Sequence, residues 1–208
     1  KREKISLAHN GILFLDELLE LRRHVLETLR QPLETGEIMI SRANAHVKYP
    51  CKFSLIAAAN PCKCGFMTDP DQACGRAPNC GADYLGRISG PLMDRFDLRI
   101  EVPAVRFQDL ALPADGERSQ SIAKRVLTAR QLQETRFRQT NIATNSDLKG
   151  DAMDQLCVLS EDAKTYLQAA AEKLNLTARG YHRVMRVART IADLEQLEGV
   201  EHHHVGEA

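Results

Sequence analysis

Short apolar runs that stop at polar residues recur in the first half of the chain. Residues 11–15 (GILFL) lead directly into Asp16 and Glu17, and residues 53–59 (FSLIAAA) end at Asn60. Continuous apolar runs of this length are typical of parallel strands buried on both faces of a sheet. Residues 96–103 (FDLRIEVP) predict a third strand. The pattern therefore predicts a parallel sheet with polar side chains at the strand ends.

Between these runs the periodicity changes. Apolar residues from Leu18 to Leu29 recur at helical spacing, which predicts one helix after the first strand. Residues 36–50 alternate well enough to predict a β-hairpin with its turn near residues 43–45. Residues 61–90 are rich in Gly, Pro, Asp and Cys and predict a long structured loop. Strands and helices in this order indicate an α/β fold.

Helical patterns replace the strands after residue 103. The Ser-Glu-Asp sequence at residues 160–162 predicts a helix start, with apolar residues at helical spacing behind it. A last long helix is predicted through Leu194, and the three histidines at residues 202–204 predict the start of a further helix. We therefore divide the chain into an α/β region, residues 1–103, and a small helical domain, residues 104–208.

Composition narrows the class of protein. The 208-residue chain carries 28 Lys and Arg against 28 Asp and Glu, so net charge gives no argument for a nucleic acid or a membrane as partner. No apolar run approaches the roughly 18 residues that a membrane-spanning helix needs. The charged start, KREK, is not followed by the apolar segment of a signal peptide. We therefore expect a cytoplasmic protein with no membrane partner.

The adjacent carboxylates at the end of a buried strand have two interpretations. Open α/β sheets bind ligands at the carboxyl ends of their strands. There Asp16 could hold Mg²⁺ beside nucleotide phosphates, and Glu17 could orient or deprotonate the attacking water. Alternatively, the two acids begin a helix, since the helix dipole favours acids in the first turn. The pattern by itself leaves both interpretations open.

Four of the six cysteines crowd into one segment. Cys62, Cys64, Cys74 and Cys80 have the spacing C-x-C-x₉-C-x₅-C. Four thiolates can form a tetrahedral, structural Zn²⁺ site that stabilises a loop with few apolar residues, although C-x-C is tighter than the usual zinc-finger spacing. Free thiols and a disulfide are the alternatives.

Five stretches of sequence together carry a family resemblance over nearly the whole chain. They are ISLAHNGILFLDEL, LRQPLETGEIMISRA, YPCKFSLIAAANPC, SGPLMDRFDLRIEVP and ARGYHRVMRVARTIADL. Their order resembles the second half of an AAA+ ATPase, most closely the magnesium-chelatase-like branch known as the ComM/YifB family. The resemblance implies the C-terminal half of an AAA+ parallel-sheet core with a β-hairpin insertion, followed by an all-α lid domain of the magnesium chelatase C-terminal type.

The resemblance also implies roles for single residues. Asp16 and Glu17 would be the Walker B pair, with Asp16 on Mg²⁺ and Glu17 as the catalytic base. Asn60 would be sensor 1, which helps to position the water. Arg95 would be the arginine finger that enters a neighbouring subunit's site, and Arg179 would be sensor 2. From the residues alone, an ion pair with an adjacent aspartate explains Arg95, and a solvated helix face explains Arg179.

The predicted hairpin resembles the pre-sensor-1 hairpin of this ATPase branch, which in ring-shaped relatives points into the central pore and touches DNA. The implied contacts are Arg42, His46 and Lys48, which would grip phosphates without reading sequence. A plain surface hairpin is the alternative for each of these residues. Five basic residues of the next predicted helix are interpreted as a solvated face, with contact to nucleic acid as the alternative: Lys124, Arg125, Arg130, Arg136 and Arg138.

One part of the ATPase machinery is not found in this sequence. It contains no G-x-x-x-x-G-K-[ST] loop, which members of the family carry before the Walker B strand. We expect the parent protein to be an ATP- and Mg²⁺-dependent motor that assembles as a hexameric ring. It would act on DNA as a helicase or in branch migration during natural transformation, and this piece alone would be inactive. The alternatives are a magnesium-chelatase-type motor that remodels a protein partner, and a zinc-stabilised interaction module without an ATPase role.

Overall fold

Strands are confined to the first part of the described chain, and helices make up the rest. The computed structural model describes residues 3–42, 45–67, 74–103, 105 and 116–208. The chain divides into two units, Lys1–Leu110 and Ala111–Ala208. Of the predicted fold, a mixed α/β region followed by a helical region is confirmed. The boundary after residue 103 stays a prediction, because residues 104 and 106–115 lie outside the described ranges.

The first unit combines short strands with short helices. Its helices are α1 (Glu3–Ser6), α2 (Arg23–Thr28), α3 (Arg30–Thr35), α4 (Asn79–Leu85) and α5 (Gly90–Met93), and a 3₁₀ turn spans Leu18–Glu20. Its strands are β1 (Ile12–Leu15), β2 (Glu37–Arg42), β3 (Ala45–Pro50) and β4 (Ser54–Ala57).

Strands β1 and β4 form the predicted parallel pair. Ile12 lies opposite Ser54 and Leu15 opposite Ala57, so the two strands end at the same edge of the sheet. The prediction that these strands are buried on both faces is wrong. Ile12 is 64% exposed and Phe14 is 60% exposed, because the described helices pack against one face of the pair only.

The core of the first unit lies against the covered face of this pair. Leu13, Leu15 and Ala57 pack against a cluster of buried side chains from the 3₁₀ turn, α2 and α4 to α5. The buried members are Leu18, Leu19, Leu26, Leu29, Tyr84, Ile88 and Leu92. Because each large apolar side chain contributes about 1.5–3 kcal/mol on burial, this cluster fixes the segment that follows β1.

The third predicted strand is absent from the described residues. Residues 96–103 have no regular secondary structure, and Leu98, Ile100 and Val102 are largely exposed. A strand forms only beside a partner that completes its hydrogen-bonded ladder, and no described strand lies next to this segment. Alternation of apolar residues was therefore not sufficient to make a strand here.

Two further predictions for this unit are corrected. The single helix expected after β1 is divided into the 3₁₀ turn, α2 and α3. The break between α2 and α3 follows from Pro32, which has no N–H to donate to the carbonyl of Thr28 four residues earlier. The predicted loop over residues 61–90 contains helix α4, which begins at Asn79.

Strands β2 and β3 form the predicted antiparallel hairpin. Their register runs from Glu37 opposite Pro50 to Arg42 opposite Ala45. The expected turn includes residues 43–44, which lie outside the described residues. Gly36 leads into the hairpin with a positive φ of 68°, a backbone conformation that glycine adopts without strain and that ends α3.

The second unit is helical throughout its described elements. They are α6 (Ser119–Phe137), a 3₁₀ turn (Asn145–Asp147), α7 (Asp151–Leu156), α8 (Glu161–Lys173), α9 (Ala178–Leu194) and α10 (His202–Glu207). The predicted cap is confirmed, since the Ser160 hydroxyl accepts the Ala163 N–H, and Thr177 caps α9 in the same way. Within the described part of the chain, no helix has the length and apolar character to cross a bilayer.

A buried charge cluster joins α6 to α9 in this unit. Asp193 and Arg189 are both 0% exposed, and Arg189 Nη2 donates to Asp193 Oδ1 over 2.9 Å. Arg136 donates to the same carboxylate with both terminal nitrogens, and Asn145 Nδ2 donates to it over 2.8 Å. The prediction that Arg136 lies on a solvated face is wrong, because its side chain turns inward to pair with a buried acid.

The three consecutive histidines begin α10, which confirms the predicted helix start. His204 is fully buried, and its Nδ1 accepts the Glu201 N–H over 2.8 Å. In the neutral ring the proton therefore lies on Nε2, which donates to Glu195 over 3.2 Å. Hydrogen bonds from His203 and His204 lower the pKa of Glu195. With no free lone pair on His204 Nε2, this group is a hydrogen-bonded cluster and not a set of metal ligands.

Candidate functional site

A small open cavity lies at the carboxyl ends of β1 and β4. Its volume is about 90 Å³, and it is lined by Asp16, Glu17, Ala58, Ala59 and Asn60. Two backbone hydrogen bonds of 2.9 Å hold its walls together, from Ala58 N–H to the Leu15 carbonyl and from Leu18 N–H to the Ala58 carbonyl. The parallel pairing thus brings together the three polar side chains that the sequence placed at separate strand ends.

Glu17 occupies a strained backbone position at this cavity. Its φ and ψ are 48° and 46°, in the left-handed region that non-glycine residues rarely adopt. Its N–H donates to Asp16 Oδ1 over 2.9 Å, and the chain then turns sharply into the buried Leu18 and Leu19. Such positions cost about 1 kcal/mol and concentrate at functional sites. The turn leaves both carboxylates exposed to solvent at the sheet edge.

The segment after these carboxylates is attached to α4. Tyr84 donates its hydroxyl to Glu20 Oε1 over 2.6 Å, and this hydrogen bond, together with burial, raises the pKa of Tyr84. Arg87 Nη1 lies 3.9 Å from the other oxygen of Glu20. Tyr84 is 7% exposed and the Glu20 side chain is 50% exposed, so the contact lies where the core meets solvent. Helix α4 therefore supports the turn that presents Asp16 and Glu17.

Arg95 does not line the cavity, and it is ion-paired within its own unit. Its Nη2 donates to Glu34 at the end of α3, and its Nη1 donates to the Pro91 carbonyl of α5. The Arg95 side chain is 8% exposed, whereas that of Glu34 is 49% exposed. The residues near Arg95 in sequence suggested an aspartate as partner, but the carboxylate found here comes from 61 positions earlier.

Arg179 belongs to the second unit, as the second residue of α9. It is exposed, and it interacts with neighbouring groups. The positive end of a helix dipole disfavours a cation at this position. The helix dipole by itself therefore does not favour an arginine here.

The hairpin places two of its three candidate DNA contacts on one face. Lys48 lies opposite Met39 and His46 opposite Ser41, two positions apart on β3. Lys48 Nζ is 3.5 Å from Glu37 Oε2, and both side chains are more than half exposed. The side chain of Arg42 lies outside the described residues.

The four clustered cysteines approach one another. The sulfur atoms of Cys62, Cys64 and Cys80 all lie within 4.8 Å of one another. Cys74 hydrogen-bonds to both Cys64 and Cys80. Sulfur atoms around a tetrahedral zinc ion, with Zn–S bonds of about 2.3 Å, are about 3.8 Å apart. The sulfur atoms of Cys62, Cys64 and Cys80 are near enough to share one ion after a small adjustment, and Cys74 interacts with two of them, so the four residues are candidate zinc ligands.

The pKa values of two cysteines in this cluster are shifted in opposite directions. The Cys62 thiol, 2.9 Å from Cys64, lowers the pKa of Cys64 to about 6, with further help from backbone N–H groups. The side chain of Cys74 and burial raise the pKa of Cys80 to about 12. All four are free thiols in the structure, and 2.9 Å is well beyond a disulfide bond of about 2.05 Å. A lowered pKa favours the thiolate form of Cys64, which is the form of cysteine that binds metal ions.

Some residues of this region were not identified from sequence. Glu34 and Tyr84 contact residues more than 60 positions away, and no local pattern indicates such partners. The buried pair of Arg189 and Asp193 did have a signal. The two residues are spaced i, i+4 in phase with the buried Met185 of the same helix.

Comparison with known proteins covers both units. The family model described as magnesium chelatase, subunit ChlI, matches residues 1–110, and the model described as its C-terminal part matches residues 116–208.

Individual relatives match along nearly the whole chain. The chain is 44% identical over 209 residues to competence protein ComM of Haemophilus influenzae, which covers 100% of this chain and 40% of the relative. It is 41% identical over 206 residues to YifB of Salmonella typhimurium, covering 99% and 40%. With magnesium-chelatase subunit ChlI-2 of Arabidopsis thaliana it shares 23% over 205 residues, covering 97% and 42%. The chain spans about 40% of the length of these relatives, and it belongs to the magnesium chelatase ChlI-like family as a homologue of ComM and YifB.

Proposed function

We propose that the chain is part of an ATP-hydrolysing AAA+ motor that acts on DNA. The observation that carries the proposal is the cavity shared by Asp16, Glu17 and Asn60 at the ends of adjacent parallel strands. Residues 1–103 would be the distal half of the ATPase core, and residues 104–208 the helical lid. The name of the relative, competence protein, supports a role of the motor in competence. We propose that it acts there as a helicase or in branch migration.

The residues at the cavity suit the handling of Mg²⁺ and water. Bound Mg-ATP supplies the metal and the phosphoryl group that is transferred to water. The Asp16 carboxylate offers the hard oxygen ligands that Mg²⁺ prefers. Glu17, held outward by its left-handed backbone, accepts a proton from the attacking water, and the Asn60 amide orients that water from the neighbouring strand.

Arg95 and Arg179 do not line the cavity, and we propose that each supplies positive charge to a nucleotide site. Arg95 would act as a finger in a neighbouring subunit's site, which requires self-association into a ring, as a hexamer. Arg179 would act as sensor 2, consistent with a cation placed where the helix dipole disfavours one. Guanidinium groups stabilise the charge on the transferring phosphoryl group.

The choice of substrate rests on the comparisons. Identity of 44% to ComM against 23% to the chloroplast ChlI-2 supports DNA over a protein partner as the substrate of the motor. The match to the ChlI family models supports the second candidate, a magnesium-chelatase-type motor that remodels a protein. A zinc-stabilised interaction module without ATPase activity is a third reading.

Replacing Lys48 with alanine in the full-length protein tests the proposal that the motor acts on DNA. Loss of one phosphate contact should weaken DNA binding and reduce the slope of log K against log salt by about 0.7–0.9. Stimulation of ATP hydrolysis by DNA should fall in parallel. Fluorescence anisotropy at several salt concentrations measures the binding.

Lys164→Ala is the matched control for this measurement. Lys164 is a half-exposed lysine of the helical unit, and it is paired with Glu161 over 2.6 Å. It should leave the DNA affinity and the salt slope unchanged. Hydrolysis of ATP without any binding of DNA would contradict the DNA assignment and favour the chelatase-type motor.

We propose in addition that Cys62, Cys64, Cys74 and Cys80 hold one structural zinc ion. Metal analysis of the purified protein should then find about one zinc per chain, and Cys80→Ser should lower that content sharply. Cys157→Ala is the control, because Cys157 is buried in the other unit and should leave the zinc content unchanged. Protein free of zinc, with four reactive thiols in the cluster, would establish the free-thiol alternative instead.

A further inference from the structure

Arg95 is held in a retracted position by a carboxylate from another helix. We propose that Glu34 is a positioning residue that keeps the Arg95 guanidinium retracted until an anion of a neighbouring subunit replaces it. The inference rests on the proposed function, in which Arg95 reaches into a neighbouring nucleotide site.

The contacts of Arg95 keep its charge away from solvent. Both terminal nitrogens are used inside the unit, one by Glu34 on α3 and one by the Pro91 carbonyl on α5. With its side chain 8% exposed, Arg95 does not present its guanidinium to another subunit from this position. To act in a neighbouring site it must first leave Glu34.

One hydrogen-bond donor of Arg95 has no partner in the described part of the chain while the side chain is retracted. Arg95 Nε is buried without a hydrogen-bond partner among the described residues. A buried donor with no partner destabilises the position it occupies, and that donor would be hydrated once the side chain extended. Glu34 is the charged group that keeps Arg95 in place, through a charge-assisted hydrogen bond beside the one to the Pro91 carbonyl.

The strength of this contact suits a reversible exchange. Glu34 is 49% exposed, so solvent screens the ion pair and keeps its contribution modest. A phosphoryl group carries more negative charge than one carboxylate and offers several acceptor oxygens to the arginine fork. In an assembled ring such an anion would replace Glu34 as the partner of Arg95.

Glu34→Gln in the full-length protein tests the proposal by changing the charge with little change of shape. Loss of the competing carboxylate should allow half-maximal ATPase activity at an about 1.5-fold to 5-fold lower protein concentration. The double variant Glu34→Gln/Arg95→Ala should show none of this gain, because the gain acts through Arg95. Thermal unfolding of each variant shows whether folding has changed.

Glu27→Gln is the matched control on the preceding helix. Glu27 pairs with Arg30 over 2.9 Å, and its replacement should leave the concentration dependence of the ATPase unchanged. Suppose that Arg95→Ala abolishes ATPase activity while Glu34→Gln leaves the protein concentration for half-maximal activity unchanged or raises it. In that case the proposed retraction by Glu34 is wrong and the proposed function stands. If Arg95→Ala retains full activity, the finger role itself is wrong, and the positioning role falls with it.

Discussion

Replacing Glu17 with glutamine is expected to lower the rate of ATP hydrolysis by about 10²–10⁴-fold in the full-length protein. Glutamine keeps the size of the side chain and places an amide at the same left-handed position, but it cannot accept a proton from water. Asp16 remains available for Mg²⁺, so nucleotide binding should persist. The reduction should therefore appear in kcat, with little change in nucleotide affinity.

Steady-state ATPase kinetics and equilibrium binding of a nucleotide analogue separate these two effects. Asp83→Asn is a suitable control, because Asp83 is an exposed acid of the same unit that pairs with Arg76 over 2.7 Å. It should leave both kcat and nucleotide affinity unchanged. Hydrolysis at the wild-type rate by Glu17→Gln would contradict the assignment of the base, whereas a full-length wild-type protein that hydrolyses no ATP would support the interaction module.

Removal of the Asp193 carboxylate is expected to lower the free energy of unfolding of the helical unit by about 3–5 kcal/mol. Asp193→Ala would leave Arg189, which is 0% exposed, as a buried cation without its carboxylate partner. Arg136 and Asn145 would lose the same acceptor, so the attachment of α6 and the 3₁₀ turn to α9 would weaken. Urea unfolding followed by circular dichroism measures the loss.

The exposed acid Glu161 provides the control for this prediction. Its side chain is 88% exposed and pairs with Lys164, and Glu161→Gln should change stability by less than about 1 kcal/mol. An equal effect of both substitutions would show that the buried cluster contributes no more than a surface ion pair.

The same cluster sets a pH dependence of stability. Burial raises the pKa of Asp193, but hydrogen bonds from Arg136 and Asn145 and the charge of Arg189 outweigh burial and lower it overall. A lowered pKa in the folded state means that this stabilisation is complete above the ordinary aspartate pKa of about 4. It is lost as the pH falls through the lower folded value, and Asp193→Asn should remove this part of the acid dependence.

Local sequence patterns predicted the parts of the fold that depend on neighbouring residues. The hairpin, the Ser160 cap and the polar residues at the ends of β1 and β4 all appear where the pattern placed them. Alternation, capping and strand-end chemistry act over a few residues, so a single sequence is enough to read them. The strand predicted over residues 96–103 failed because a ladder needs a partner that the local pattern does not supply.

The sequence by itself therefore identified the candidate residues for the proposed chemistry, including Asp16, Glu17, Asn60 and the four clustered cysteines. The tertiary structure decided how they are presented. It joined two distant strand ends into one cavity, turned Glu17 into a left-handed conformation and paired Arg95 with Glu34. These features depend on contacts between residues far apart in the chain, and such contacts are fixed only when packing brings buried charges and apolar faces together.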